Sequence, residues 1–227
     1  MDITYFGHSC LYVESEGKKV IIDPFLSGNP ASGVSPKDIE VDAVLLTHAH
    51  DDHFGDSIEI AKTNNCPIVA VFELAMHCMR LGARAHAMNI GGAHTMEGFR
   101  IKFTKAFHGS SLREGDRYLY AGQPAGILLT SGGTTIYHAG DTSLFGDMKL
   151  IGEMNDIALA ALPIGDNYTM GSEDAVYAAQ WLRTKRVIPL HYDTFPVIRQ
   201  DANRFAAMLG ERDIECYPLK SKETITI

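Results

Sequence analysis

The chain has 227 residues, of which 45% are apolar, and a formal net charge of −8. This length suits one large domain or two small ones, and the apolar fraction is sufficient for a sizeable core, which excludes a disordered chain. The negative charge argues against a nucleic-acid-binding surface, which would need a basic stripe.

Cysteine usage and the opening segment bear on the cellular compartment. The cysteines are scattered and form no CxxC pair: Cys10, Cys66, Cys78 and Cys216. We expect them to be reduced. Residues 1–4 lack the pattern of a signal peptide, and no apolar run approaches the roughly 20 residues that span a bilayer. We therefore predict a cytoplasmic protein without membrane insertion.

The first half of the chain alternates strand and helix patterns. ITYFGHSCLYVES and KKVIIDPFL flank the turn Glu16–Gly17 and predict a β-hairpin. VDAVLLTH predicts a buried strand and SIEIAKTNN a helix after it. PIVAVF predicts a further strand, ELAMHCMRLGA a further helix, and the alternation in GFRIKFTKAFH an antiparallel strand.

The second half repeats this order. AGILLTSGGTTIYHAGD predicts two strands around a turn, DIALAALPIG a buried strand, and SEDAVYAAQWLRTK a helix with Ser172 as its N-cap. RVIPLHY predicts a strand, DANRFAAMLGER a helix, and IECYPL and ETITI two closing strands. We therefore predict an α/β fold, a four-layer α/β/β/α sandwich of two similar halves. Because no linker rich in proline, glycine or serine divides the chain, residues 1–227 are predicted to form a single domain.

The segment HAHDDH, which follows the first buried strand, contains three histidines and two aspartates. Imidazole nitrogens and carboxylate oxygens are the usual ligands of zinc and related metals. His48 and His50 are two residues apart, so they point to the same side of an extended segment. Asp52 and His53 follow where the chain turns into a helix, while Asp51 points elsewhere. The loop can begin two neighbouring metal sites; the alternative is a polar strand-to-helix turn.

One loop cannot complete either site, so further ligands must come from other strand ends. Three residues end a strand-like run and precede small or turn residues: His108 in KAFHGSS, Asp141 in IYHAGDTS and His191 in IPLHYDT. We expect these segments to meet at one edge of the sandwich, where loops carry function.

These motifs resemble those of the metallo-β-lactamase superfamily. HAHDDH matches its HxHxDH signature, and the three later residues follow in the order of its later motifs. The resemblance covers essentially the whole chain. FGHSC, IDPFLSGNP and PIGDNYTMG are similar to one branch, the small metal-dependent hydrolases related to L-ascorbate-6-phosphate lactonase.

The resemblance implies two divalent metal ions, zinc first, with manganese or iron as alternatives. One ion would be bound by His48, His50 and His108, the other by Asp52, His53 and His191, with Asp141 bridging them. The two ions would hold a bridging hydroxide that attacks the substrate. Asp52 is also the expected catalytic residue, which orients that hydroxide or accepts its proton. Asp23 is expected to support a ligand histidine by a hydrogen bond rather than to bind metal.

Substrate-binding residues are expected near the metal ligands. His8, placed in the first strand, is either a satisfied core residue or a residue that contacts substrate or supports a ligand. In the loop PIGDNYTMGS, Asn167, Tyr168 and Thr169 are expected either to contact substrate or to serve as ordinary turn residues. The helix start after this loop is compatible with an anionic group on the substrate.

The remaining histidines are expected to lie outside the metal site. His77 and His86, on or beside a helix, are assigned to the surface or to packing, and His94 in GGAHTMEG to a turn. His138 is expected to point away from the pocket because Asp141 must point into it.

Together these features predict a metal-dependent hydrolase of a small molecule, acting on an ester, lactone or phosphoester. The alternatives are a phosphodiesterase for a nucleotide or phospholipid and a non-catalytic metal-binding protein. A flavin-coupled di-iron oxidoreductase is not favoured, because it would need an attached flavin domain. A persulfide dioxygenase is not favoured either, because it would use one iron with fewer ligands. No nucleic-acid partner is expected, and an oligomer is compatible with the sequence.

Overall fold

The computed structural model describes residues 1–96 and 98–227, which form two seven-stranded β-sheets, a two-stranded hairpin and α-helices. The helices are α1 (Asp51–Phe54), α2 (Ser57–Thr63), α3 (Phe72–Arg80), α4 (Met148–Met154), α5 (Ser172–Trp181) and α6 (Ala202–Gly210). None of the helices in the described ranges is long and apolar enough to cross a membrane.

The strands of each sheet are given in their spatial order. The first sheet consists of β16 (Thr224–Thr226), β1 (Asp2–Tyr5), β2 (Leu11–Ser15), β3 (Lys18–Ile22), β4 (Ala43–Leu45), β5 (Ile68–Val71) and β6 (Ala85–Met88). The second sheet consists of β15 (Glu215–Cys216), β14 (Arg186–Leu190), β13 (Ile157–Pro163), β12 (Thr134–His138), β11 (Ala125–Ser131), β8 (Phe99–Lys105) and β7 (Ala93–Met96). The separate hairpin consists of β9 (Ser111–Glu114) and β10 (Arg117–Tyr120).

Both sheets have the same pattern of strand pairing. Counted from β16 in the first sheet and from β7 in the second, three antiparallel pairings are followed by three parallel ones. The prediction of two similar halves is confirmed by this pattern. The parallel parts place the carboxyl ends of β3, β4, β12, β13 and β14 at sheet edges where loops can build a site.

Alternate residues of the central strands face different layers, as the pleat of a strand requires. Leu159 and Ala161 of β13 pack in a core cluster with inward residues of the first sheet. Ala160 and Leu162 pack instead in a cluster with α5 and α6. Helices α2 and α3 cover the other face of the first sheet through contacts with β4 and β5. The predicted α/β/β/α sandwich is thereby confirmed.

The first predicted strand is interrupted, so the placement of His8 in a strand was wrong. ITYFGHSCLYVES forms β1 and β2 with a turn between them, in which Gly7 has φ +92° and His8 φ +58°. The amide of Cys10 donates to the carbonyl of Gly7 at 3.0 Å and closes this turn. The apolar pattern of the segment continues across the turn, so alternation alone does not reveal it.

Two further local predictions were wrong. The N-cap of α5 is Gly171, not Ser172, because the extended backbone of Gly171 (φ −89°, ψ −178°) already precedes the first helical residue. His94 lies in β7 rather than in a turn, since the turn is completed earlier by Gly91 at φ +85°. The hairpin of β9 and β10, helix α4 and strand β6 were not predicted.

Candidate metal centre

The predicted metal-ligating residues come from four separate segments that meet at one edge of the sandwich. They follow the ends of strands or lie in α1: His48 and His50 after β4, Asp52 and His53 in α1, His108 after β8, Asp141 after β12, and His191 after β14. Nitrogen and oxygen atoms converge here in three overlapping groups: His48 with His50 and His108, Asp52 with His53, His191 and His8, and Asp23 with His48 and His53. We call His48, His50 and His108 the first ligand group, and Asp52, His53 and His191 the second ligand group.

The first ligand group consists of three neutral histidines. One nitrogen from each lies within 4.8 Å of the others, and Nε2 of His48 is 3.0 Å from Nδ1 of His50. Burial lowers the pKa of all three imidazoles, most strongly that of the fully buried His48. Neutral imidazoles present a lone pair, which is the form that binds a metal ion.

Asp23, the fully buried residue after β3, supports one histidine from each group. Its Oδ2 accepts a hydrogen bond from Nδ1–H of His53 at 2.7 Å and from the Thr47 hydroxyl at 2.6 Å. Because the Thr47 hydroxyl donates to Asp23, its oxygen accepts from Nδ1–H of His48 at 3.0 Å. Each Nδ1 therefore carries a proton, and each Nε2 is directed to the site, as supporting carboxylates do in metal centres.

The second ligand group combines a carboxylate with two histidines. Oδ2 of Asp52 is 3.6 Å from Nε2 of His191. Burial lowers the pKa of His191, but the Asp141 carboxylate outweighs it and raises the value to about 9. For His53, burial is likewise outweighed by Asp141 and Asp23, so its pKa is raised well above the ordinary value. In the absence of an ion, His53 and His191 are therefore protonated at neutral pH.

Asp141 lies between the two groups. Its Oδ2 is 3.0 Å from Nε2 of His191 and 3.5 Å from Nε2 of His108, while its Oδ1 is 3.2 Å from Nε2 of His53. Oδ1 of Asp141 and Nε2 of His53 are both buried, and they meet as an ion pair at 3.2 Å without the geometry of a hydrogen bond; neither atom is hydrogen-bonded to any other described residue. Buried polar atoms that make no hydrogen bond are rare. A cation bound by both atoms would satisfy them, so these residues fit a metal ion.

A cavity of about 250 Å³ opens above these side chains. It is lined by His50, Asp52, His108, Asp141, His191 and Tyr168. Tyr168 belongs to the loop before α5, in which Asp166 and Asn167 have positive φ values and the amide of Thr169 donates to the carbonyl of Asp166 at 2.7 Å. This tight turn brings Tyr168 to the cavity, with Asn167 and Thr169 beside it. Their contacts with substrate stay predictions.

His8 is fully buried beside the second ligand group. Its Nε2 is 3.1 Å from Oδ2 of Asp52, and its Nδ1 is 2.9 Å from the hydroxyl of Thr194. Burial lowers the pKa of His8 to about 4, with the hydrogen bond to Asp52 acting in the opposite direction. The contacts of His8 are therefore with protein groups, and a contact with substrate stays a prediction.

Three further polar residues lie around the site, His138, Thr47 and Thr194, and only the orientation of His138 was predicted. Nδ1 of His138 accepts from the amide of Gly140 and its Nε2–H donates to the carbonyl of Ser9, so His138 points away from the cavity, as expected. The supporting roles of Thr47 and Thr194 were not predicted. Thr47 directly precedes the motif HAHDDH, and this position could have been used to predict its contact with His48. No pattern around Thr194 relates it to residues far away in the chain.

The chain is similar to known proteins in sequence and in fold. The model of the beta-lactamase superfamily domain matches residues 2–191. A solved structure of a metallo hydrolase from the hyperthermophilic archaeon Ignicoccus hospitalis superposes with a TM-score of 0.90 at 36% sequence identity. That match covers 99% of this chain and 97% of the archaeal one.

Curated relatives match over nearly the whole length. A UPF0173 metal-dependent hydrolase from Bacillus cytotoxicus is 55% identical over 211 residues, 92% of this chain and 93% of the relative. Another, from Bacillus cereus strain AH187, is 51% identical over 229 residues and the match spans both chains completely. The relation to L-ascorbate-6-phosphate lactonase stays a prediction. The chain belongs to the metallo-β-lactamase superfamily and, within it, to the UPF0173 family of metal-dependent hydrolases.

Proposed function

We propose that the protein uses two divalent metal ions to hydrolyse an ester, lactone or phosphoester bond of a small molecule. The observation that carries this proposal is the position of Asp141, whose carboxylate oxygens lie 3.0 to 3.5 Å from histidines of both ligand groups. Two cations held close together repel each other strongly, and a carboxylate between them offsets that repulsion.

The donor atoms support zinc, with manganese or iron as alternatives. Both groups offer imidazole nitrogens and carboxylate oxygens, a mixture that suits these metals. When bound, two such ions supply a hydroxide nucleophile at neutral pH and polarise the bond that is cleaved. The first ligand group and the second ligand group would each hold one ion, with Asp141 shared between them.

Asp52 is the proposed catalytic residue. Burial raises the pKa of its carboxyl, but the contacts with His191 and His8 outweigh burial and hold the pKa well below its usual range. Asp52 is therefore ionised at neutral pH, and it lines the cavity into which the substrate would enter. An ionised carboxylate at this position can accept a proton from the attacking water.

The cavity supports a small substrate. Its volume of about 250 Å³ lies below the roughly 300–1,000 Å³ of typical ligand pockets. We propose that the reacting group enters the cavity while the rest of the substrate lies along Tyr168. Asp52 and Asp141 both face this space, so an anionic substrate would be repelled unless bound ions offset the two carboxylates.

The experiment is a substrate screen with metal-reconstituted protein, using lactones, phosphodiesters and thioesters. Turnover confined to one class would assign the bond that is cleaved. Asp52→Ala is expected to abolish metal-dependent turnover, while circular dichroism shows a folded protein. Asp51→Ala is the matched control, because Asp51 is an exposed carboxylate in the same turn of α1.

Two results would contradict the proposal in different ways. Unchanged turnover by Asp52→Ala would reject the catalytic role of this carboxylate. If protein with two bound ions hydrolysed no compound of any class, the non-catalytic metal-binding alternative would be supported instead.

A further inference from the structure

The turn between β1 and β2 contacts three of the four segments that carry metal-ligating residues. The carbonyl of His8 accepts a hydrogen bond from the amide of His191 at 2.8 Å. The carbonyl of Ser9 accepts from Nε2–H of His138, three residues before Asp141, at 2.8 Å. The His8 side chain reaches the third segment at Asp52. The turn therefore connects ligand segments that are far apart in sequence.

The conformation of His8 is fixed by its surroundings. A non-glycine residue with φ near +58° is uncommon and is kept only where other contacts hold it. The hydroxyl of Tyr5 and the amide of His191 both donate to the His8 carbonyl. At Gly7, a Cβ atom would lie 3.1 Å from the Asn29 amide nitrogen, so the turn is closely packed as well.

The direction of the two side-chain hydrogen bonds follows from the chemistry of the groups. An ionised carboxylate can only accept, so Nε2 of His8 carries the proton that faces Oδ2 of Asp52 at 3.1 Å. The other ring nitrogen, Nδ1, then needs a donor. The Thr194 hydroxyl lies 2.9 Å from Nδ1 and 3.3 Å from the carbonyl oxygen of Tyr192, and it has one proton to donate. We assign that proton to Nδ1, because this contact is the shorter one and Nδ1 has no other donor.

We propose that His8 is a positioning residue for the second metal ion, and that Thr194 and His8 together hold the Asp52 carboxylate in its ligating orientation. The hydrogen bonds run from the Thr194 hydroxyl to Nδ1 of His8, and from Nε2–H of His8 to Asp52. This inference rests on the proposed two-ion function, and it gives His8 a role toward the metal centre rather than toward the substrate. Partners of this kind orient ligands and raise metal affinity.

Two substitutions of His8 separate its contact with Thr194 from its contact with Asp52. The amide of His8→Asn extends about as far as Nδ1, so it can meet Thr194 but not Asp52, and asparagine tolerates positive φ values. The amide of His8→Gln extends about as far as Nε2 and can donate to Asp52 as the imidazole does. Circular dichroism and thermal unfolding of the metal-free proteins verify that both variants fold.

The test is equilibrium dialysis with zinc alone, followed by metal analysis of the wild type and both variants. His8→Asn is expected to weaken binding of the second ion by about 10–100-fold, the usual effect of losing a supporting partner, and to leave the first ion unaffected. His8→Gln is expected to restore most of that affinity. Thr194→Val is expected to weaken the second ion to a smaller extent than His8→Asn.

Three outcomes are distinguishable. Wild-type affinity for both ions in His8→Asn would overturn the positioning role, and so would equal losses in His8→Asn and His8→Gln, since a packing role predicts no rescue. A wild-type protein that never binds a second ion would overturn the proposed function itself. Selective loss and rescue would support the inference even if every substrate in the screen were left uncleaved.

Discussion

The first and second ligand groups differ in what holds them in place when no ion is bound. In the first, burial lowers the pKa of three histidines, which are neutral and whose ring nitrogens converge. In the second, Asp141 and Asp52 lie beside histidines whose pKa values are raised. The first group is ready to accept an ion at neutral pH, whereas the second is held by ion pairs whose protons an incoming ion must displace.

This difference indicates an order of binding. The first ion meets uncharged nitrogens and displaces no proton, so it should bind with little dependence on pH. On the proposed two-ion function, the second ion would enter beside a cation that is already bound, and its own group would supply the compensating carboxylates. Asp52 and Asp141 therefore lie where repulsion from a first cation would most weaken the binding of a second one.

The largest expected effect comes from the residue that the two groups share. Asp141→Asn removes the charge between them but retains the shape of the side chain. We expect loss of the second ion and a decrease in hydrolysis of more than about 100-fold, because loss of a supporting partner alone costs about 10–100-fold. Metal analysis and turnover measure both effects, with Asp51→Asn as the control. Retention of two tightly bound ions would show that Asp141 does not link the groups.

A smaller effect is expected from substitution of Asp23, the carboxylate that supports one histidine of each ligand group. Asp23 accepts from His53 directly and from His48 through Thr47. Asp23→Asn should weaken both ions by about 10–100-fold, since both histidines lose the group that fixes their proton on Nδ1. Zinc competition with a chelator measures the two affinities. Weakening of the second ion only would mean that the Thr47 connection to His48 has no energetic role.

The smallest effect is a pH dependence that separates the groups. In metal-free protein the pKa of His191 is about 9, so below pH 9 a proton competes with the second ion. Its apparent affinity should therefore rise about tenfold per pH unit for each proton displaced, and the part of this dependence that is due to His191 should end above pH 9. The first ion should bind equally well at pH 7 and pH 8. Equal pH dependence of both binding steps would remove the distinction between the groups.

The sequence predicted the layers of the fold because apolar periodicity was clear in the central strands and the outer helices. It predicted the repeated order of elements as well, and the sheets show the same pairing pattern twice. The predicted ligands converge because each follows a strand end, and strand ends meet at one edge of a sheet. Their roles as ligands stay predictions that metal analysis can test.

The contacts that support the ligands could not be predicted in the same way. His8 and Thr194 are 186 residues apart, and their hydrogen bond exists only because the turn after β1 meets the segment after β14. That turn depends on the left-handed backbone conformation of His8, which no apolar pattern in the sequence reveals. Polar contacts over such distances depend on the complete fold rather than on local sequence.

The most direct test of the account is the metal content of the purified protein after saturation with zinc and removal of free ions. The wild type should retain two ions per chain. His50→Ala and His191→Ala should each retain one, because each removes a ligand from a different group, and the Asp51→Ala control should retain two. One ion in the wild type, or loss of both ions in each histidine variant, would contradict two separate groups linked by Asp141.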